Sequence, residues 1–413
     1  MKTIVFIDSE ITVKDNKIKD LGAIKDNGDS FHDSNIKEFG KFIGKPDFVC
    51  GHNIIDYDYK FLKDYINSLF HHPLLIDTLP ISPLLFPKKP YHNLLKDDKI
   101  YTEEVNNPLN DAIKCRELFD SEVSAFNTLN DNLKRIYYGL LSDNPYFKNF
   151  FVYIGYKDNT NLVSLVKEIF KDNICDNADI TNLIKEYPVE LAYCLAVIST
   201  KDKESIIPHW VHMNYPMVDK VMDILRETPC KEGCNYCSIK FDSRKRLKEF
   251  FGYDNFRTFD GVALQENAVN AAINKESILT IFPTGGGKSI TFQLPALIAG
   301  ETSRALTIVI SPLQSLMKDQ VDNLNAKGIV DAVTINGMLS PVERQESIER
   351  VMNGMASILY ISPETLRSKT LERILLCRKI ERIAIDEAHC FSSWGQDFRV
   401  DYLYIAEFVK NLE

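Results

Sequence analysis

The pattern of apolar and polar residues changes character along the chain. Residues 1–122 alternate short apolar runs with amphipathic stretches, which is typical of a small α/β domain. Residues 123–240 are richer in helical periodicity, and apolar residues three and four positions apart recur over Leu162–Ile169 and 180–184. This middle part is predicted to be a mainly helical linker domain that ends in a cysteine-containing loop.

The third part, residues 241–413, repeats an apolar run followed by a helical stretch. Such alternation predicts a parallel sheet covered by helices on both faces. One more run, 277–282, is predicted to be a strand because it precedes a glycine-rich turn and a helical stretch. The other predicted strands are Leu306–Ile310, Ala332–Ile335, Ile358–Ile361 and 383–385.

The glycine-rich turn, residues 283–289, reads Pro-Thr-Gly-Gly-Gly-Lys-Ser. Glycines let backbone N–H groups wrap a phosphate, and the following helix N-terminus favours negative charge. Lys288 is predicted to reach the β- and γ-phosphates of ATP, and Ser289 to ligate Mg²⁺. Phe282 stands where the strict phosphate-loop pattern has its first glycine, so the match is to the helicase version of the loop. The backbone of the cradle would come from Thr284, Gly285, Gly286 and Gly287.

A second run, Asp-Glu-Ala-His at residues 386–389, ends another apolar strand about a hundred positions later. Asp386 is predicted to hold the Mg²⁺ and Glu387 to position the attacking water, which would make these residues and Lys288 catalytic. Two such runs in this order, each behind an apolar run, indicate an ATP-driven nucleic-acid motor.

Composition and charge limit the classes of protein that fit. The 413 residues are 45% hydrophobic and 26% charged, with a net charge of −9. That balance is ordinary for a globular chain and argues against a protein that coats nucleic acid, so any contact with DNA is expected in a local groove. No apolar run approaches the roughly 20 residues of a membrane span. Nine cysteines without a secretory signal predict a reducing, cytoplasmic location.

From about residue 246 to 410 the chain resembles the first motor lobe of the RecQ family of superfamily 2 DNA helicases. The resemblance implies a RecA-like P-loop domain, use of ATP with Mg²⁺, and 3′–5′ DNA unwinding by the complete protein. It also predicts single-stranded DNA and duplex ends as substrates, with repair or recombination proteins as partners. The residues that carry the resemblance are 251–257, 283–289, 311–320, 360–364 and 386–399.

The resemblance also implies individual roles. Tyr253, Arg257 and Gln265 would read adenine, although seven residues separate Arg257 from Gln265 where most relatives have two. Gln396 replaces the histidine that is usual in the aromatic-rich loop, which couples DNA binding to ATP hydrolysis. DNA contacts would come from Ser311, Gln314, Lys318, Trp394, Phe398 and Arg399.

A helicase of this kind needs a second RecA-like lobe whose arginine completes the ATP site, and no room for it follows Glu413. The sequence therefore predicts half a motor, which binds ATP but hydrolyses it poorly and does not unwind DNA alone. The alternative interpretation is an ATP- and DNA-binding module without autonomous catalysis.

Four carboxylates mark the N-terminal part. Asp8 and Glu10 end an apolar strand two positions apart, so their side chains are predicted to point to the same face. Asp58 and Asp111 follow at longer intervals, and Asp56 is a weaker candidate than Asp58. Four carboxylates can hold two divalent metals roughly 3.5–4 Å apart, an arrangement that cleaves phosphodiesters.

This ordered set resembles the DEDD family of 3′–5′ exonucleases, which have an RNase H-like fold. The resemblance implies that Asp8, Glu10, Asp58 and Asp111 bind Mg²⁺ or Mn²⁺. At the family's general-base positions the chain has Asn106 and Asn107, neither of which accepts a proton near pH 7. An active nuclease and a degenerate, DNA-holding version both remain open.

A cysteine cluster lies between these parts. Cys230, Cys234 and Cys237 place three thiols on one tight loop, which makes them candidate ligands of a structural Zn²⁺. The same residues without metal are the alternative. The candidates for a fourth ligand are His209, His212 and Cys194.

Overall fold

The structure is a computed structural model that divides into two compact units. The first contains residues 1–87, 91–169 and 184–196, and the second contains 88–90, 170–183 and 197–413. The segment predicted to be a middle domain is therefore divided between the two units. The structure describes residues 2–12, 17–63, 73–92, 94, 107–200, 204–230, 233–283, 285–390 and 404–410.

The first unit contains a five-stranded mixed sheet in the order β3-β2-β1-β4-β5. β2 runs antiparallel to both of its neighbours, whereas β1, β4 and β5 are parallel to one another. β2 is thus the strand of opposite direction. The strands are β1 (Ile4–Ile11), β2 (Ile18–Lys25), β3 (Ser30–His32), β4 (Phe48–Gly51) and β5 (Leu74–Asp77).

Helices surround this sheet, and its apolar face buries Val5, Leu21 and Val49 in one core cluster. The 21-residue helix α3 begins after Asn107, whose side chain caps it, with Pro108 in the first helical turn. Residues 58–63 are also helical. The helices before residue 200 are α1 (Ile36–Ile43), α2 (Thr78–Leu85), α3 (Pro108–Thr128), α4 (Asp131–Leu141), α5 (Lys148–Ile154), α6 (Leu162–Ile169), α7 (Ile180–Glu186) and α8 (Pro188–Ser199).

The second unit contains a four-stranded parallel sheet in the order β7-β8-β6-β9. Its strands are β6 (Leu306–Ile310), β7 (Ala332–Ile335), β8 (Ile358–Ile361) and β9 (Ile380–Ile385). Val309 packs into one core cluster, whereas Ile308 and Ile310 pack into another. Since successive strand residues face opposite sides, the sheet is covered on both faces, as the continuous apolar runs predict.

Helices with short connections accompany this sheet. A capping box between Ser340 and Glu343, with Pro341 in the first turn, starts α16. The helices are α9 (His209–Asn214), α10 (Val218–Met222), a π-helical turn (Asp223–Glu227), α11 (Asn235–Lys240), α12 (Ser243–Phe251), α13 (Leu264–Ile273), α14 (Ile290–Ser303), α15 (Gln314–Asn325), α16 (Pro341–Met352), a 3₁₀ turn (Pro363–Arg367), α17 (Lys369–Leu376) and α18 (Tyr404–Lys410).

Three predicted strands, β6, β7 and β8, are confirmed at their predicted bounds, and β9 begins three residues earlier than predicted. The prediction of a strand over residues 277–282 was wrong. That run has no strand partner among the described residues, and Leu279 and Ile281 are 79% and 82% exposed. Within the described part of the chain, no helix combines the length and apolarity that crossing a membrane requires.

Candidate nucleotide, nucleic-acid and metal sites

The glycine-rich turn adopts a backbone that side chains disfavour. Gly285 and Gly287 have φ of +73° and +76°, in the left-handed region where glycine carries no Cβ penalty. A Cβ on Gly287 would also lie 2.7 Å from Nε2 of Gln265. The turn leads directly into α14, so its N–H groups and the helix N-terminus belong to one continuous segment. Thr284 lies outside the described residues.

Gln265 connects this turn to the segment before it. Its side chain is 2% exposed, and its Nε2 donates to the carbonyl oxygen of Gly287 at 2.9 Å. The backbone N–H of Arg257 donates to Gln265 Oε1 at 2.9 Å, and the Arg257 guanidinium donates to the carbonyl of Gly285. The seven-residue spacer therefore still brings Gln265 and Arg257 to the glycine-rich turn. Their contact with adenine stays a prediction.

Tyr253, four residues before Arg257 in the sequence, is the third residue predicted to contact adenine. Its side chain is 43% exposed and stacks on Phe251, with ring centroids 6.3 Å apart and an interplanar angle of 13°. Lys327 donates to the Tyr253 hydroxyl at 3.1 Å. The Tyr253 ring is thus partly exposed, which leaves aromatic surface that a base can contact.

The Asp-Glu-Ala-His run begins where β9 ends. The N–H of Asp386 donates to the carbonyl of Ile310 in β6 at 2.9 Å, and burial raises the pKa of its carboxyl group. Glu387 has φ of +50°, and its N–H donates to Asp386 Oδ1 at 3.0 Å. Nδ1 of His389 lies 3.1 Å from Glu387 Oε2. The left-handed backbone at Glu387 is costly for a residue with a Cβ, and such conformations cluster at functional sites.

The two nucleotide-site runs meet in space. Nζ of Lys288 lies 4.0 Å from Oε1 of Glu387, and both side chains are about one-third exposed. Ser289 precedes α14, and its side chain makes no capping hydrogen bond to the helix. A lysine and two carboxylates thus gather at the carboxyl end of β9, which is where open α/β sheets place their ligands, and Ser289 follows that lysine in the chain.

The predicted DNA-contacting residues are only partly at the surface. Lys318 is exposed on α15, and Gln314, the first residue of that helix, is partly buried. Ser311, directly after β6, is 1% exposed, and its contact with the DNA backbone stays a prediction. The remaining predicted contacts, Trp394, Phe398 and Arg399, lie outside the described residues.

Three of the four predicted metal ligands lie at one face of the first unit's sheet, because Asp8 and Glu10 are two residues apart on β1 and the helix that carries Asp111 covers that face. Asp8 lies opposite Gly22 in the antiparallel ladder, so the Cβ directions of the two residues point to the same side. A Cβ on Gly22 would lie 2.2 Å from backbone atoms of Pro108 and Leu109. The first turn of α3, which carries Asp111, therefore covers the face of β1 that carries Asp8.

Asp58 and Glu10, two of the predicted ligands, form hydrogen bonds or ion pairs with neighbouring protein groups. Asp58 is 2% exposed, and its Oδ1 accepts hydrogen bonds from the backbone N–H and hydroxyl of Ser9. Burial raises the pKa of Asp58 to about 7. Oε2 of Glu10 pairs with Lys19 at 3.0 Å.

In the described part of the chain, these four carboxylates do not converge into one metal-binding group.

The sequence missed a buried carboxylate next to this set. Asp77 accepts hydrogen bonds from the N–H groups of Asn53, Ile55 and Leu79 at 2.8–3.1 Å. Burial raises its pKa to about 6. It shapes the loop that carries Asp56, whose Oδ1 accepts from the Tyr146 hydroxyl at 3.0 Å. An aspartate between a strand and a helix is a capping signal that could have identified this role.

The residues considered for the general base of the predicted exonuclease include one with a helix-capping role. The side chain of Asn107 caps α3 by accepting from the N–H groups of Leu109 and Asn110 at 3.0 and 3.3 Å. Asn106 lies outside the described residues. Burial lowers the pKa of His52 to about 4, and its Nδ1 lies 2.9 Å from the Thr78 hydroxyl.

The cysteine loop gathers a fourth cysteine that the sequence did not indicate. The Sγ atoms of Cys175, Cys230, Cys234 and Cys237 all lie within 4.8 Å of one another. Among the described residues, the group of four does not include His209, His212 or Cys194, the candidates for a fourth ligand that the sequence offered. His209 bonds the carbonyl of Leu376, and His212 pairs with Asp219 at 3.3 Å. Cys194 belongs to the first unit.

A parallel sheet with a phosphate-binding turn and an Asp-Glu-Ala-His run defines a class of ATP-binding domain. Residues 262–413 match the DEAD/DEAH box helicase family model. This part of the chain is therefore similar to DEAD/DEAH box helicases, and the relatives described next are helicases whose similarity covers about two-fifths of this chain.

Three relatives illustrate the similarity. The ATP-dependent DNA helicase RecQ of Haemophilus influenzae is 43% identical over 156 residues, and that of Bacillus subtilis is 44% identical over 166 residues. The ATP-dependent helicase SGS1 of Saccharomyces cerevisiae is 40% identical over 162 residues. These matches cover 38%, 40% and 38% of this chain, but only 24%, 27% and 11% of the respective relatives. The similarity is confined to the helicase region.

Proposed function

We propose that this chain acts in an ATP-dependent DNA helicase of RecQ type, whose complete form unwinds DNA in the 3′–5′ direction. The observation that carries this proposal is the 4.0 Å approach of Lys288 to Glu387, which joins the phosphate-binding turn to the Asp-Glu-Ala-His run. The bonds of Gln265 and Arg257 to the turn support it, because they link a base-reading segment to the phosphate-binding one.

Each residue of this site has a chemical task. The glycine-rich turn binds the phosphates through its N–H groups, and Lys288 leaves Glu387 to neutralise the β- and γ-phosphate oxygens. Asp386 and Ser289 would hold the Mg²⁺ that accompanies ATP, and that ion would supply charge neutralisation for phosphoryl transfer. Glu387 orients the attacking water. Lys318 and Gln314 bind the DNA backbone.

Binding of a fluorescent ATP analogue with Mg²⁺ to the full chain tests the nucleotide site. Lys288→Ala is expected to weaken binding at least about tenfold, since it removes a charge-assisted bond to phosphate. Lys410→Ala, a change of the same type at an exposed position of α18, serves as the matched control. Equal affinity of the two variants would refute the assignment of this site.

We further propose that the first unit is a two-metal 3′–5′ exonuclease with an RNase H-like fold. A five-stranded sheet with one reversed strand, β2, supports the fold. The shared face of Asp8 and Asp111 supports the site. Divalent cations would draw Glu10 from Lys19 and Asp58 from Ser9, because a cation between carboxylates replaces their repulsion with attraction.

A degenerate, DNA-holding version of this unit is the second candidate. One observation favours it. Asn107, at a position where a nuclease of this family has its base, uses its side chain to cap α3. In that version, the carboxylates bind metal and DNA without activating water.

Digestion of 5′-labelled single-stranded DNA with Mg²⁺ or Mn²⁺ distinguishes the two candidates. An active nuclease produces a ladder that shortens from the 3′ end, which Asp8→Ala abolishes and Asp143→Ala, at an exposed loop, leaves intact. Metal-dependent DNA binding without digestion supports the holding version. A ladder that persists in Asp8→Ala would exclude these carboxylates as the source of cleavage.

A further inference from the structure

We propose that Cys175, Cys230, Cys234 and Cys237 form a tetrathiolate zinc site that stabilises the second unit. Their Sγ atoms lie within 4.8 Å of one another, and none of the four forms a disulfide. Three of the side chains are buried, and Cys230 is partly buried. This proposal is independent of the motor and of the nuclease.

The local structure aims the sulfur atoms at one point. Cys234 is the N-cap of α11, and its Sγ accepts the N–H of Cys237 at 3.3 Å. The cap fixes two of the sulfurs at the start of one helix. The side chain of Asn177 donates to Cys230 Sγ at 3.4 Å. Donors directed at sulfur favour thiolate over thiol, which is the form that binds a metal.

Cys175 comes from a distant part of the chain and is fixed independently. Its N–H donates to the carbonyl of Leu225 at 2.7 Å, and its Sγ lies 3.9 Å from that of Cys234. The neighbouring Asp176 accepts the N–H of Asn235 at 3.0 Å. One backbone bond and one bond to the Asp176 carboxylate thus hold the 170–183 segment against the π-helical turn and the first residue of α11.

The spacing of the sulfurs fits a single tetrahedral metal ion. Tetrahedral zinc with Zn–S bonds of about 2.3 Å places its sulfurs about 3.8 Å apart. The 3.9 Å separation of Cys175 and Cys234 fits a single ion, and the remaining separations require only small side-chain movements. In a [4Fe–4S] cluster each thiolate binds a different iron, so the four sulfurs lie farther apart than around a single ion. Four thiolates and no carboxylate favour a soft ion over Mg²⁺ or Ca²⁺.

The surroundings of the cluster indicate its role. The π-helical turn that carries Leu225 also carries Glu227, which accepts a hydrogen bond from Thr302 in α14. Asp223 of the same turn pairs with Lys275 and Lys379. A metal bound to Cys175 therefore fastens residues 170–183 and the loop before α11 to a turn that contacts the helix following the phosphate-binding turn.

Metal analysis of the full chain, purified without a metal-affinity step, tests this inference. About one equivalent of zinc is expected per chain, and a mercurial reagent should release it as four thiols react. This titration uses the unaltered protein, so it holds even if a variant fails to fold. Iron with visible absorption, fewer than about 0.2 equivalents of any metal, or disulfides among these cysteines would overturn the proposal.

A variant identifies the fourth ligand. Cys175→Ser is expected to lose most of the zinc and to admit protease within residues 170–183 and 228–240. Cys377→Ser, in the same unit but outside the cluster, should retain zinc and protease resistance. Zinc retained equally in the two variants would overturn the assignment of Cys175.

Discussion

Lys288 and Glu387, about a hundred residues apart in the sequence, approach to 4.0 Å between Nζ and Oε1. The pair lies where the phosphates of ATP are expected. Nucleotide binding is therefore expected to separate the two side chains, because Lys288 would then pair with phosphate oxygens. The carboxylate of Glu387 therefore competes with the phosphates of ATP for Lys288. The same carboxylate is expected to orient the attacking water.

This relationship predicts a separation of binding from hydrolysis. Glu387→Gln removes the competing charge, so ATP is expected to bind at least as tightly as to the unaltered chain. Any hydrolysis should fall by about 10²-fold or more, because the amide orients water poorly and accepts no proton. Binding is measured with a fluorescent analogue and turnover by phosphate release. Glu407→Gln on α18 is the matched control, and a variant with unchanged turnover would remove Glu387 from the reaction.

Gln265 predicts an effect on ATP affinity through the shape of the turn. Gln265→Ala leaves the carbonyl of Gly287 and the N–H of Arg257 without their buried partner, which costs about 1–3 kcal/mol. About tenfold weaker ATP binding is expected in a calorimetric titration. The control is Gln345→Ala, which removes an exposed bond to Glu349 and should change nothing. Wild-type affinity in Gln265→Ala would mean that the turn holds its shape unaided.

Two glycines with the same backbone allow conformational strain to be separated from crowding. Gly287 and Gly328 have φ of +76° and +77°, but a Cβ meets Gln265 only at Gly287, whereas no heavy atom lies within 4 Å of one at Gly328. Both alanine variants are expected to lose about 1–2 kcal/mol of folding stability from strain. Only Gly287→Ala should also lose ATP binding. Equal ATP affinity of the two variants would show that crowding at Gln265 is relieved at no cost.

The buried carboxyl of Asp58 predicts a pH dependence of folding. Its pKa is raised from 3.8 to about 7, so between these values the folded state keeps a proton that the unfolded state releases. Stability is therefore expected to fall as pH rises from about 4 to about 7, and the loss is complete above that range. Asp77 and Glu227, with pKa values raised to about 6 and about 7, act in the same direction.

Asp58→Asn isolates this contribution. The amide oxygen can still accept both hydrogen bonds from Ser9, so the variant is expected to gain about 1–3 kcal/mol at pH 8 and little at pH 4.5. Thermal unfolding across this pH range measures the difference. Mn²⁺ should stabilise the unaltered chain more at pH 8 than at pH 6, since metal binding needs the ionised carboxylate. A pH-independent difference between the two proteins would contradict the raised pKa.

Much of the second unit follows from local sequence. Continuous apolar runs between helical stretches fix β6, β7 and β8, because a strand covered on both faces has to be apolar throughout. The residues of the candidate nucleotide site could be selected from the sequence because each of the two motifs is one contiguous run. The burial of Ser311 could not be predicted from the sequence, because it depends on how far the segment after β6 extends inside the unit.

The failures elsewhere concern long-range contacts. Cys175 lies 55 residues before Cys230, and nothing in its own neighbourhood indicates a metal ligand, so only the path of the chain reveals it. Asp8, Glu10 and Asp58 could be selected by their order, but the partners Lys19 and Ser9 depend on strand pairing. Residue type thus predicts the chemistry of these sites, whereas tertiary contacts decide which atoms meet.

Residues 277–282 have a consequence for handling the protein. β9 pairs with β6 and with no other strand in the described part of the chain, and the same unit exposes most of Leu279 and Ile281. An open strand edge together with exposed aliphatic side chains is a template for pairing with another molecule. Concentrated solutions are therefore expected to self-associate, as light scattering over a dilution series would detect. The first experimental sign of these exposed residues is therefore expected to be limited solubility of the purified protein.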